Sequence, residues 1–131
     1  MRPRTALAAL ACDSALTRDE FVTQANAICA AGNAKIEAAV PENSSVPPSG
    51  DAGTRFHETI VDETQNTVDG IAALEPPAEI EADVDAMVAA ARDVLAEMRA
   101  TPADEFFQTN EDAFAEVNET ASSLGLDACA T

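Results

Sequence analysis

The stretch NAICAAGN, residues 26–33, places a cysteine near the middle of a segment with the spacing of an amphipathic helix. Apolar and small side chains around it recur at intervals of three and four, which indicates one buried helical stripe. That stripe consists of Phe21, Ala25, Ile28, Cys29, Gly32 and Ile36. Thr17 followed by Glu20 has the pattern of a capping box, and Pro41 cannot continue a helix. The first helix is therefore predicted to begin after Thr17 and to end before Pro41.

Two further helices are predicted from the same periodicity. The second covers about Thr54 to Leu74 and ends because Pro76 and Pro77 cannot continue the hydrogen-bond ladder. The third covers about Ala78 to Arg99, with acidic residues in its first half and arginines in its second, which complements the helix dipole.

A fourth helix is predicted from Thr101-Pro102, a pair that suits the N-cap and the first helical position, to Leu124. Gly125 is placed to end this helix in a left-handed conformation. Leu126 is placed to make the hydrophobic contact of a Schellman motif.

The composition and the short connections predict the fold class. The 131 residues are 47% apolar but contain five Phe, no Trp and no Tyr, which suits closely packed helices better than a β-sandwich. We expect an all-α, up-down-up-down four-helix bundle. One domain is predicted over residues 16–131, with a flexible loop at 41–53 and a signal-like or disordered segment at 1–15.

The charge of the chain limits its partners. Twenty-four acidic and seven basic residues give a formal net charge of −17. Such a surface repels phosphate backbones, so nucleic acid is excluded as a partner.

The N-terminal sequence MRPRTALAALAC has two arginines, a short apolar run and then Cys12, which is the order of an export signal. Its end resembles a bacterial lipobox, so Cys12 is a possible site of lipid attachment. The alternative is a frayed N-terminus with an incidental cysteine. No run reaches the ~20 apolar residues of a membrane-spanning helix, so attachment to a membrane is expected only through a lipid anchor. The predicted location is extracytoplasmic, either secreted or lipid-anchored to the cell membrane.

Cys29 and Cys129 can meet only under one condition. In an up-down-up-down bundle the fourth helix ends beside the start of the first helix. Cys29 lies ~16–18 Å along the first helix from that start, and residues 125–129 reach ~17 Å when extended. A disulfide is therefore possible if the C-terminal tail turns back along the first helix, and it fits an oxidising compartment. The alternative is two free thiols, with Cys29 acting as a small buried hydrophobe.

Three motifs together resemble a family of small exported or lipid-anchored helical proteins of actinobacteria. They are A-x-A-I-C at residues 25–29, L-x-P-P at residues 74–77 and the terminal GL-x-x-C at residues 125–129. The resemblance implies Cys29 and Cys129 as a disulfide pair. It implies no activity.

The search for chemistry gives few candidates. His57 is the only histidine, and it is interpreted as a surface residue beside carboxylates, since Thr54 stands where a Glu-x-x-His metal motif needs a glutamate. Asn110 is a buried-polar candidate, either a register-setting hydrogen bond or the lining of a small cavity. No phosphate loop or nucleophile elbow occurs. We therefore predict no enzyme activity, no metal site and no cofactor.

Two binding hypotheses remain. The first is a non-enzymatic extracytoplasmic bundle that binds another component of the cell envelope, through an unknown protein partner. The alternative is a small-ligand or metal-binding module that uses a cavity between helices or the acidic surface. A hydrolytic enzyme built around His57 ranks below both.

Overall fold

The computed structural model describes residues 15–40, 50–109 and 113–130. The helices are α1 (Arg18–Ala39), α2 (Gly50–Ala72), α3 (Ala78–Ala100), α4 (Ala103–Thr109) and α5 (Ala115–Ser123), followed by a 3-10 helix at Asp127–Cys129. Within these described ranges no β-strand occurs. The predicted all-α class is confirmed.

The start of α1 is fixed by the predicted capping box. The Thr17 backbone N–H donates to a carboxylate oxygen of Glu20 at 2.9 Å, and the Glu20 N–H donates to the Thr17 hydroxyl at 3.1 Å. The hydrogen bonds from the Thr17 backbone and then from its side chain hold the pKa of Glu20 below its ordinary value. Asp19 and Glu20 also place negative charge at the positive end of the helix dipole.

The helices pack into one bundle around a shared apolar core. Helix α1 packs against α2, α2 against α3 and α4, and α3 against α5, while the 3-10 helix contacts both α1 and α5. The Leu16 backbone N–H donates to the Glu75 carbonyl at 2.8 Å, which joins the chain before α1 to the turn after α2. Phe21, Leu95, Met98 and Leu126 are the largest fully buried side chains. The core therefore draws on the first helix, the third helix and the C-terminal tail.

Two small residues let α1 and α2 approach closely. Gly32 is buried on α1, and a Cβ atom there would collide with the hydroxyl of Thr67 on α2. A Cβ on Gly70 would lie 3.2 Å from Cγ2 of Ile28. The predicted stripe of α1 thus includes a glycine that α2 approaches closely.

The prediction of a loop over residues 41–53 is wrong at its C-terminal end. Helix α2 begins at Gly50, four residues before the predicted start at Thr54. Asp51 lies in the first turn, where the helix dipole favours a negative charge, and Gly53 is buried. Packing thus extends the helix into a sequence of low helical propensity, which periodicity alone does not reveal. Residues 41–49 lie outside the described residues.

The prediction of one continuous fourth helix is also wrong. The segment contains two helices, α4 and α5, with a turn at residues 113–114. Thr101 is not the N-cap of α4: its hydroxyl donates to the Glu97 carbonyl at 2.7 Å, and it is the C-cap of α3. The sequence between the two helices includes Asn110 and Asp112, which have low helix propensity.

The C-terminal Schellman motif is confirmed. Gly125 has a φ of 83° and its N–H donates to Ser122 at 3.1 Å, while the Leu126 N–H donates to Ala121 at 2.8 Å. These are the two characteristic hydrogen bonds of the motif. Leu126 is fully buried, so the turn both ends α5 and anchors the tail in the core.

Candidate functional site: a cavity beside the disulfide

The predicted disulfide is present in the structure. Cys29 and Cys129 are joined with an S–S distance of 2.01 Å and a Cα–Cα distance of 5.1 Å, across a sequence separation of 100. The tail from Gly125 to Cys129 turns back onto α1, as the distance argument requires. We call this segment, residues 125–129, the strap.

Two asparagines hold the strap along α1. The Asn26 side chain accepts from the Ala128 N–H at 3.0 Å and donates to the Gly125 carbonyl at 3.3 Å. Asn33 donates to the Ala128 carbonyl at 2.8 Å. The backbone of the strap is thus bonded on both sides of Cys29.

Sequence reasoning missed this role of Asn26 and Asn33, although the signal was available. The two amides flank Cys29 at three residues before and four residues after it. Residues at these spacings share one helix face. Polar amides beside a buried cysteine therefore indicated that a piece of backbone would cover that face.

A cavity of about 300 Å³ lies beside the disulfide, between α1, α2, α3 and α5. Its lining residues are Cys29, Asn33, Ile36, Ile60, Thr64, Thr67, Val68, Ile71, Met87, Val88, Ala91, Phe114, Val117, Asn118 and Cys129. None of these described side chains is ionisable, since both cysteines are in the disulfide. The cavity has the size and the mainly apolar lining that are typical of a small-molecule site.

The lining divides into a buried part and a half-buried part. The buried part of the wall is formed by Cys29, Val68, Ile71, Met87, Val88 and Ala91, and none of these carries a hydrogen-bonding side-chain group other than sulfur. The remaining lining residues are half-buried, and all four polar members of the set belong to this outer part. Those four are Asn33, Thr64, Thr67 and Asn118. We call the half-buried part of the lining the rim.

A second hollow, of about 520 Å³, lies where α2 meets α3. Its walls include Asp85, Arg92 and Asp93, and Arg92 pairs with Asp69 across an exposed 3.4 Å contact. Charged, solvent-facing walls make it a surface hollow. Most of its other lining residues are apolar, but these three charged residues distinguish it from the first cavity, whose lining has no ionisable group.

The interpretation of His57 as a surface residue is wrong. Its side chain is 9% exposed and its ring packs edge-on against Phe106 of α4, with ring centroids 5.1 Å apart. His57 lies on the buried stripe of α2, four residues from both Gly53 and Val61. Aromatic contact with another helix compensates for burial of the ring, and a local sequence pattern cannot show that contact.

Several predicted site residues are not joined into a site. Within residues 15–40, 50–109 and 113–130, no group of three His, Cys, Asp or Glu side chains is arranged to hold a metal ion. Cys12 and Asn110 lie outside the described residues. Among the helices of the described chain, none has the length and apolar character needed to cross a bilayer.

Fold and site together define an all-helical bundle with a disulfide-bonded strap and an apolar cavity between its helices. Comparison of the chain with protein-family models, with curated proteins and with solved structures gives no match. The function is therefore inferred from the site itself.

Proposed function

We propose that this chain is a non-enzymatic binding protein that takes a small apolar molecule into the cavity beside the disulfide. The observation that carries the proposal is the cavity of about 300 Å³ with its mainly apolar lining. It favours the small-ligand alternative over the metal-binding one, because the described lining has no ionisable group to coordinate an ion.

The proposed setting is outside the cytoplasm. A disulfide persists in oxidising compartments, and the Cys29–Cys129 bond supports this location. The signal-like sequence up to Cys12 and the resemblance to exported actinobacterial proteins support it as well. We also propose that the helices follow an up-down-up-down path. The protein is secreted or lipid-anchored through Cys12, and it binds another protein of the cell envelope.

A neutral fluorescent dye with ten carbons, 1-aminonaphthalene, tests the ligand-binding proposal. We expect saturable binding at one site, with a shift of the dye emission to shorter wavelength as the dye leaves water. A neutral dye avoids repulsion by the net charge of −17.

A matched pair of variants assigns the dye to the cavity. Ala91 is 4% exposed and lines the cavity, whereas Ala96 is exposed on the same helix. Ala91→Phe should weaken dye binding at least about tenfold, because the phenylalanine ring fills part of the cavity volume that the dye needs. Ala96→Phe should leave the affinity within about twofold. Equal dye binding by the two folded variants would exclude the cavity as the site.

A further inference from the structure

We infer that the cavity takes a neutral amphiphile with an apolar body of about eight to twelve carbons, whose polar end lies at the rim beside Thr64 and Asn118. This inference rests on the proposed function and adds the chemical class of the ligand and its orientation.

The volume sets the size of the apolar body. An engineered protein cavity of about 150 Å³ binds benzene, which has six carbons. The present cavity has about 300 Å³, which is twice that volume. An apolar body of up to about twelve carbons therefore fits.

The distribution of polar side chains sets the orientation. The buried part of the wall offers only apolar groups and sulfur, so a hydroxyl or an amide placed there would lose its hydrogen bonds to water. At the rim, the Thr64 hydroxyl and the Asn118 amide make no hydrogen bond with another described residue. Both can donate and accept, and they come from different helices, α2 and α5. A ligand with its polar end at the rim keeps that end away from the apolar wall and lets it form hydrogen bonds with Thr64 and Asn118.

The excess of acidic residues disfavours an anionic end. Glu37, Glu63, Glu116 and Glu119 each adjoin a rim residue in sequence, and Lys35 is the one basic residue that does so among the described residues. Lys35 is itself engaged with Glu63 at 3.8 Å. A carboxylate brought to this protein, whose formal net charge is −17, would be repelled and would also lose water on entering the cavity.

Competition between ligands of equal chain length tests the head group. Displacement of 1-aminonaphthalene is measured with 1-decanol and with decanoate at pH 7 and low salt. We expect 1-decanol to compete at least about tenfold more strongly than decanoate. Raising the salt concentration should narrow the ratio of the two affinities, because it screens the net negative charge of the protein. Across 1-hexanol to 1-tetradecanol, the gain in affinity with each added carbon should stop at about twelve.

Substitutions at the rim test the orientation. Thr64→Val combined with Asn118→Leu should weaken 1-decanol about tenfold while it changes dye affinity by less than about threefold. Thr59→Val is the matched control, because the Thr59 hydroxyl donates to the Arg55 carbonyl on the same helix and Thr59 does not line the cavity. If decanoate competes as strongly as 1-decanol, or if the rim variants bind 1-decanol normally, the inference is overturned and the proposed function stands. Failure of the wild-type protein to bind the dye or any alcohol of the series would overturn both.

Discussion

Removal of the Cys29–Cys129 bond should cost this protein a large part of its stability. The bond closes a loop with a sequence separation of 100. By the chain-entropy relation, a loop of this length restricts the unfolded chain by ~4.7 kcal/mol at 25 °C, and measured values are often smaller. We therefore expect Cys29→Ala combined with Cys129→Ala to lower the free energy of unfolding by about 3–5 kcal/mol. A drop in Tm of roughly 10–20 °C should accompany this loss.

Urea unfolding followed by far-UV circular dichroism measures this change. Dithiothreitol should destabilise the wild-type protein by a similar amount and should leave the double variant unchanged. Cys12→Ala serves as the control, because Cys12 is not part of the bond and its loss should not alter the unfolding midpoint.

The size of the loss also reports on the strap. A loss of about 3–5 kcal/mol means that Asn26, Asn33 and buried Leu126 still hold the strap on α1 without the bond. A loss clearly above that range means that the strap detaches and its contacts are lost as well. A loss below about 1 kcal/mol would refute the reasoning, since the bond would then not restrict the unfolded chain.

Three further changes should alter stability in defined ways. Asn26→Ala removes two hydrogen bonds to the strap and should lower the free energy of unfolding by about 2 kcal/mol. Asn33→Ala removes the bond to the Ala128 carbonyl and should lower it by at least about 1 kcal/mol, and chemical denaturation measures both changes. Gly125→Ala places a side chain at a φ of 83° and should lower the free energy of unfolding by about 1–2 kcal/mol; an unchanged value would contradict the left-handed cap. For Glu20 the folded pKa is depressed, so its contribution is present above the unfolded pKa and is lost as the pH falls through the folded pKa. Wild-type protein should therefore be more stable than Glu20→Gln at pH 7, and this difference should disappear in acid when urea midpoints are compared.

Local signals explain what the sequence predicted well. The capping box at Thr17 and the Schellman motif at Gly125 depend on residues within a few positions of each other, so a sequence pattern contains the whole interaction. The disulfide required one distance argument in addition, because the strap had to reach a cysteine ~16–18 Å along α1.

Features that depend on contacts between distant segments were missed. His57 was interpreted from its polar identity and not from its position on the buried stripe, and its ring packs against Phe106, which comes from a distant part of the sequence. The start of α2 at Gly50 depends on packing that overrides weak propensity. The cavity was expected only as a general possibility between helices, because its walls come from four helices and the strap.

The spacing of Asn26 and Asn33 around Cys29 is the sequence signal that indicates where the strap lies. Asn26 and Asn33 carry the hydrogen bonds that keep the strap beside the cavity, and Cys29 and Cys129 themselves line it. The stretch NAICAAGN thus contributes to the fold, to the disulfide and to the wall of the proposed binding site.

Methyl-detected NMR during titration with 1-decanol tests the central claim most directly. Methyl groups of Val68, Ile71, Met87 and Val88, which lie in the buried part of the wall, should shift together and saturate at one equivalent. The methyls of Val40, which is 45% exposed, should remain unchanged. Shifts that do not saturate, or that appear at Val40 and not at the cavity wall, would contradict the account.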